Sequence, residues 1–528
     1  MENFSWAMPY ASRRMPIFAE NMVATSQPLA AQAGLRMLQN GGNAVDAALA
    51  TAITLTVVEP VMNGIGSDAF CILWDGQQLH GLNASGRSPA AWTPERFAGL
   101  QEMPQRGWEA ITVPGCVSAW VALSKRFGRL PFEKLFEPAI RYAESGFQVG
   151  PVSAEMWEES VEVLGKFEEF RRVFLPQGRA PQTGERFQNP DQAKTLKLIA
   201  ETKGKAFYRG VLAEQIIADS KRHGGAMTLA DLDQHQCDWV GTVSQEFMGH
   251  ELHEIPPNGQ GLAALMALGI LRHLPIKNWP VDSADSLHVQ IEAMKLALAD
   301  AYRYFADPSS MEVTAANLLN EEYLKQRSQI IDLSKAQEMG HGVPKPSGTV
   351  YLTAADQNGM MVSYIQSNYM GFGSGIVVPG TGISLQNRAV GFNLKEGHPN
   401  QVGGGKRPFH TIIPAFLMKD GQPEMSFGMM AGPMQAQGHV QLMLRMFAYG
   451  QNPQAAADGP RWQVLEGRNV AIEEDFPADV LIQLEARGHQ LHRKPRQPFF
   501  GGAQLIYRMK DGYCGASEPR KEGQAVGF

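Results

Sequence analysis

The chain has 528 residues, of which 44% are hydrophobic and 19% charged, with a formal net charge of -6. That composition excludes a disordered chain, and the acidic balance leaves no basic footprint for nucleic acid. Cys71, Cys116, Cys237 and Cys514 are scattered, without metal-ligand or secreted disulfide spacing, and are expected to be reduced.

In chain order, Gln27 to Asn43 reads as an amphipathic helix ended by Gly41-Gly42-Asn43. Ala44 to Val58 is apolar on every side, so it is expected to be a buried helix. Its apolar run stops at Glu59-Pro60, short of the roughly 20 residues of a membrane span. Met1 to Trp6 shows no basic segment followed by an apolar one, so a soluble, cytoplasmic protein is expected. Ala69 to Trp74, Gln78 to Asn83 and Ala110 to Val113 read as strands, the first two as a hairpin. Helical character runs from Cys116 to about Lys221 and returns over Gly261 to Leu274 and Ala284 to Phe305. Gly340, Gly342, Pro344, Pro346 and Gly348 mark a turn-prone loop. Beyond it come short strands at Thr349 to Asp356, Val362 to Gln366, Ile376 to Val378, Ala415 to Lys419, Glu424 to Gly428 and Gln504 to Arg508. One helix, Gln435 to Tyr449, interrupts them.

Thr349 is the residue to explain. A Thr opening a strand, preceded by Gly348 with its freedom to adopt backbone angles other residues cannot, is the arrangement of a self-cleaving N-terminal nucleophile hydrolase. Its hydroxyl attacks the Gly348 carbonyl, and the α-amine set free becomes the base for that hydroxyl. Local sequence alone favours an ordinary strand start; the rest of the chain is what points to a nucleophile. The thirteen histidines show no His-Glu-x-x-His cluster, and Gly371 to Gly375 lacks the third Gly and the helix of a dinucleotide loop. No metal and no cofactor are expected.

Several collinear segments resemble the γ-glutamyltranspeptidase superfamily of N-terminal nucleophile hydrolases. They are Met22-Val-Ala-Thr-Ser-Gln-Pro28, Gly41-Gly-Asn-Ala-Val-Asp-Ala-Ala48, Glu59-Pro60, Gly64-Ile-Gly-Ser-Asp68, Val113-Pro-Gly115, Pro256-Pro-Asn-Gly-Gln-Gly261, Glu292-Ala-Met-Lys295 with Ala299-Asp300, Phe372-Gly-Ser-Gly375 and Lys406-Arg-Pro408. The resemblance implies an α/β fold, a four-layer αββα sandwich made as one precursor. It also implies cleavage before Thr349 into a large helix-rich subunit (1–348) and a small strand-rich one (349–528) that stay together as a heterodimer, with a dimer of heterodimers possible.

The same resemblance assigns site residues. Thr349 is the nucleophile and Ser367 holds the place of a second active-site Thr. Thr353 is expected on the strand face of Thr349, since side chains four apart point the same way. The oxyanion hole falls on the backbone amides of Met434 and Gln435, after Pro433. In the transpeptidases an Arg binds the substrate α-carboxylate, and here that place is Ser85. The acidic residue holding the α-amino group becomes Gly391, the nearby Gln becomes Arg388, and two serines become His410 and Thr411. The site is therefore expected to refuse an ammonium and to take a bare carboxylate on Arg388 or Arg87. The pattern is closest to the cytoplasmic branch containing oxamate amidohydrolase of purine catabolism. Oxamate hydrolysis is the leading expectation, with γ-glutamyl transfer or glutathione hydrolysis and glutaryl-type (cephalosporin) acylase activity as alternatives. An unprocessed binding protein on the same fold is the non-enzyme alternative.

Overall fold

In this computed structural model residues 13–338 and 348–528 are described; the loop glycines and prolines from Gly340 to Pro346 lie outside them. Asn43 starts the helix Ala44–Val58 with a reciprocal cap, its side chain accepting from the Asp46 N–H at 3.1 Å while the Asp46 carboxylate accepts from the Asn43 N–H at 2.9 Å. All fifteen residues of this helix are buried, as its unbroken apolar pattern requires. The helix Pro28–Gln39 packs tightly on it, since a Cβ at Gly34 would come within 2.2 Å of Thr51 Oγ1.

Two seven-stranded antiparallel sheets form the centre. One runs, edge to edge, Gln524–Gly527, Met22–Thr25, Gly348–Ala355, Met361–Tyr369, Asp68–Trp74, Leu79–Asn83 and Asp238–Trp239. The other runs Ile17–Ala19, Tyr513–Ser517, Gln504–Arg508, Gln422–Gly428, Ala415–Lys419, His250–Glu254 and Val243–Phe247. Phe70, Ile72, Tyr351, Ile365, Phe416 and Ile506 fill the space between them. Helices Pro28–Gln39 and Ala44–Val58 belong to a core on the outer side of the first sheet, and Gly261–Leu271, Ala284–Tyr304 and Met434–Met443 to a core on the second. The architecture is the expected αββα sandwich, and the hairpin Asp68–Trp74/Leu79–Asn83 joins the sheet begun at Gly348 through register pairs such as Ile365 with Phe70.

Several local expectations change. Ala110 to Val113 is not a strand: Trp108–Ala110 is a 3-10 turn, and the Val113 N–H donates to Arg87 O at 3.0 Å outside any sheet. The helix begun at Met434 turns π-helical over Leu444–Ala448. The hairpin Val243–Phe247/His250–Glu254 alternates buried and exposed positions, but its many polar residues hid it from the apolar count. Both sheets draw strands from each side of the Gly348–Thr349 bond. No helix among the described residues is long and apolar enough to cross a membrane, and no described cysteine forms a disulfide.

Candidate active site

Thr349 sits where the register of the strand Gly348–Ala355 slips against Met361–Tyr369, between Gly348 paired with Tyr369 and Val350 paired with Gln366. Two residues of the partner strand, Ser367 and Asn368, stand opposite Thr349 there, which leaves Thr349 outside the paired ladder with its hydroxyl in a polar cluster. Thr349 Oγ1 lies 2.7 Å from Gly348 O and 3.2 Å from Ser367 Oγ. Ser367 Oγ itself donates to Gly348 O at 2.6 Å and accepts the Tyr369 N–H at 2.8 Å. The Gln435 side chain donates to Thr349 Oγ1 at 3.4 Å and accepts the Ile413 N–H at 2.9 Å. Gly348 has no left-handed φ; its backbone is one any residue adopts. What it supplies is space, because a Cβ there would stand 2.9 Å from Met62 Sδ and 3.3 Å from Met62 Cα.

Arg388 is buried beside this cluster, 1% exposed. Its Nη1 donates to Thr411 Oγ1 at 2.9 Å and its Nη2 to Ser367 Oγ at 3.3 Å, its Cζ lies 4.4 Å from the Tyr369 ring centre, and its Nε has no partner. Burial lowers its pKa to about 10, against the pull of Asp68, so it stays a cation at neutral pH. Burial also lifts Asp68 to about 7, opposed chiefly by Arg388. His410 accepts the Ile412 N–H on Nδ1 and meets Asp68 Oδ2 from Nε2 at 3.1 Å, which fixes the Nε2–H tautomer. Burial and the nearby Arg388 and Arg407 hold it far below the usual imidazole range, hence neutral.

The structure thus brings Thr349, Ser367, Arg388, Thr411, His410 and Gly348 together. Other expected residues lie elsewhere. Thr353 bonds Ser426 Oγ at 2.5 Å between the sheets. Four residues of rise place it about 13 Å along the strand, out of reach of the Thr349 hydroxyl. Arg87 points outward, its side chain 47% exposed and paired with Asp307 at 2.8 Å. Ser85 is tied to Asn83 Oδ1 at 2.7 Å. Gly391 has no room for a side chain, because a Cβ would stand 2.3 Å from Phe409 O. The Met434 and Gln435 amides are already engaged, donating to Ala431 O and Gly432 O at 3.0 Å each. The N–H groups of the preceding pair, Ala431 and Gly432, show no such engagement, and both residues have positive φ, 73° and 48°. Consecutive amides in unusual backbone form a concave donor pair, and Ala431 shares a cavity wall with Thr349.

That cavity, of about 610 Å³, is lined by Thr349, Met62, Met156, Ala431, Phe499 and Lys521 among others, and Arg388 is not on its wall. Elsewhere His288, Glu292 and His489 gather one ligand atom each within 4.8 Å of one another, a group the spacing search missed because His489 comes from a distant segment. Hydrogen bonds account for nearly all of it. His288 bridges His489 and Asp332 O at 2.8 Å each, and Glu292 accepts from Lys295 at 2.7 Å and from the Gln337 N–H at 3.1 Å.

The family model for gamma-glutamyltranspeptidase matches residues 30–528. The glutathione hydrolase-like YwrD proenzyme of Bacillus subtilis (strain 168) is 35% identical over 524 residues, 97% of this chain and 99% of the relative. The oxamate amidohydrolase proenzyme of Klebsiella pneumoniae is 34% identical over 530 residues, again 97% and 99% of the two chains. The crystal structure of cephalosporin acylase from Bacillus halodurans superposes with a TM-score of 0.96 at 46% identity, over 100% of this chain and 99% of that one.

Proposed function

Since the chain belongs to the gamma-glutamyltranspeptidase family and is an N-terminal nucleophile hydrolase, we propose that Thr349 cuts its own chain and then hydrolyses the amide of a small carboxylate-bearing acyl group. The observation that carries this reading is the pair of hydroxyls, Thr349 and Ser367, on one acceptor, Gly348 O. Thr349 Oγ1 attacks the Gly348 carbonyl carbon, Ser367 stabilises the charge on its oxygen, and the proton leaving Oγ1 passes to the Thr349 nitrogen as the C–N bond breaks. Water then hydrolyses the ester, giving a Gly348 carboxylate and a Thr349 with free hydroxyl and free amine.

In turnover the α-amine takes the Oγ1 proton as the hydroxyl attacks the substrate carbonyl, and it returns that proton to the departing nitrogen. Ala431 and Gly432 N–H groups are the oxyanion donors this reading favours over Met434 and Gln435. A second water frees the acid product. Thr349 thus supplies nucleophile and base.

For the acyl group, Arg388 beside Ser367 suits a carboxylate attached directly to the reacting carbonyl, as in oxamate, and among the described residues no carboxylate hydrogen-bonds Arg388 or Ser367. Cavity size favours a second candidate. A space of about 610 Å³ is in the range that drug-sized ligands fill, far beyond a six-heavy-atom oxamate, and it accommodates a glutaryl-type amide. Ammonia release from oxamate, measured beside glutaryl- and γ-glutamyl-p-nitroanilide cleavage by the processed protein, tests the assignment. Preference for the γ-glutamyl anilide over both acids would overturn it.

A further inference from the structure

Three cations line the cavity that Thr349 opens onto: Arg496, Arg520 and Lys521. Two are engaged with carboxylates. Arg496 Nε donates to Asp475 at 3.1 Å, and Arg520 bonds Glu473 and Glu518, at 2.7 and 2.6 Å. Lys521 differs. It is 3% exposed, and its Nζ meets only two thioethers, Met156 Sδ at 3.6 Å and Met62 Sδ at 3.9 Å. Among the described residues no carboxylate lies within ion-pair distance of it. An ammonium carries three strong donors and a thioether is a weak acceptor, so the group is buried short of partners.

The acids nearest Lys521 act on it through space and hold other partners, although Glu518 Oε1 has none. Glu59 accepts from Ser26 Oγ at 2.5 Å, Glu518 serves Arg520 and Arg461, and Glu522 accepts from the Ser153 N–H at 2.9 Å. Glu155 and Glu159 also line the cavity but are exposed, where water screens them.

Gly348 shows where an acyl group sits. The ester formed in self-cleavage and the ester formed in turnover join an acyl carbon to the same Thr349 oxygen. A substituent built on Gly348 Cα would point at Met62 Sδ, 2.9 Å away, and that same sulfur touches the Lys521 ammonium. One thioether therefore separates the ammonium from the space an acyl chain would take.

We propose that Lys521 receives a carboxylate at the far end of the substrate's acyl group, so that the site selects amides of short linear dicarboxylic acids longer than oxalic acid. This rests on the glutaryl-type reading above and assigns its specificity to one residue. A carboxylate there gives Lys521 the charge-assisted partner it lacks.

The test compares processed wild-type, Lys521→Met and Lys521→Gln on glutaryl-p-nitroanilide and on valeryl-p-nitroanilide, which has the same chain length with a methyl in place of the carboxylate. The expected result is a fall of at least about tenfold in the ratio of the two kcat/KM values in both variants, carried mainly by KM. Lys521→Arg should restore part of the ratio, since it restores the charge. Equal losses on both anilides, an unchanged ratio, or a wild-type preference for the valeryl compound would overturn the proposal. Wild-type that cleaves glutaryl anilide while the variants keep its ratio sinks the role of Lys521 alone. Processed wild-type that cleaves no acid amide sinks the reading of the preceding subsection and this one with it.

Discussion

Ser367 Oγ donates to the carbonyl oxygen of Gly348 at 2.6 Å, on the peptide bond that precedes Thr349. A donor held on the oxygen where charge will develop is worth about 10²- to 10³-fold in rate in comparable acyl transfers. Ser367→Ala should therefore slow conversion of the full chain into two fragments by at least about tenfold, whereas Ser367→Thr should process. The smaller fragment should begin Thr349-Val350-Tyr351, and Thr349→Ala should stay uncut. Densitometry of denaturing gels with N-terminal sequencing measures this; cutting of Thr349→Ala at the same bond would refute the nucleophile.

The amine that cleavage liberates sets the pH profile. Its reference pKa is near ~8, and it accepts the Oγ1 proton only when neutral. Activity of processed enzyme should fall on the acid side as the amine protonates, and a fraction free of cut chain should show none at any pH. Stopped assays on separated cut and uncut material decide it, and steady turnover by uncut chain would contradict the mechanism.

Arg388 provides a contrast in substrate length. If its guanidinium takes the carboxylate of oxamate, Arg388→Gln should reduce kcat/KM for oxamate at least about tenfold. Self-cleavage should still reach completion, because Gly348 O keeps both of its hydroxyl donors. Unchanged oxamate kinetics in the variant would remove Arg388 from substrate binding.

His489 offers a stability test away from the site. Its imidazole is 3% exposed and is held far below its usual pKa, first by burial and then by Lys295, His288 and Arg487. In the unfolded chain it takes a proton below pH ~6.5, while in the folded chain it stays neutral, so folding stability is lost as pH falls through that window. His489→Gln has no proton to gain. Urea unfolding of the uncut Thr349→Ala chain at several pH values should show the wild-type advantage over the Gln variant shrinking by up to about 1.4 kcal/mol per pH unit below 6.5. A gap independent of pH would mean His489 is already charged in the folded state.

The sequence made Thr349 visible because a Gly- and Pro-rich stretch meets an apolar run there, and two sheets with outer helices followed from period and resemblance. The role of Gly348 was misjudged in kind. Local reading pointed to backbone freedom, but the glycine is needed because Met62, far away in sequence, packs against its Cα. Thr353 is kept from Thr349 by distance along the strand, since four residues of rise separate them and its hydroxyl is taken by Ser426. Arg87 and Arg388 look alike as motif residues; only the fold shows Asp307 waiting for the first at the surface and Ser367 for the second in the interior. Lys521 gave no local signal, because its isolation depends on what surrounding acids bind.

The sheet that carries Thr349 has a further consequence. Leu352 pairs with Thr25 and Tyr351 with Ile365, so the new chain end is flanked by strands from both fragments, and Gln524–Gly527 lies against Met22–Thr25. The proposed cut would therefore release an amine without releasing a subunit. Fragments 1–348 and 349–528 made separately would each expose unpaired strand edges along apolar faces, a recipe for aggregation. On the proposed cut, uncut synthesis acts as the assembly step, because the fold would be finished before the free amine of Thr349 exists.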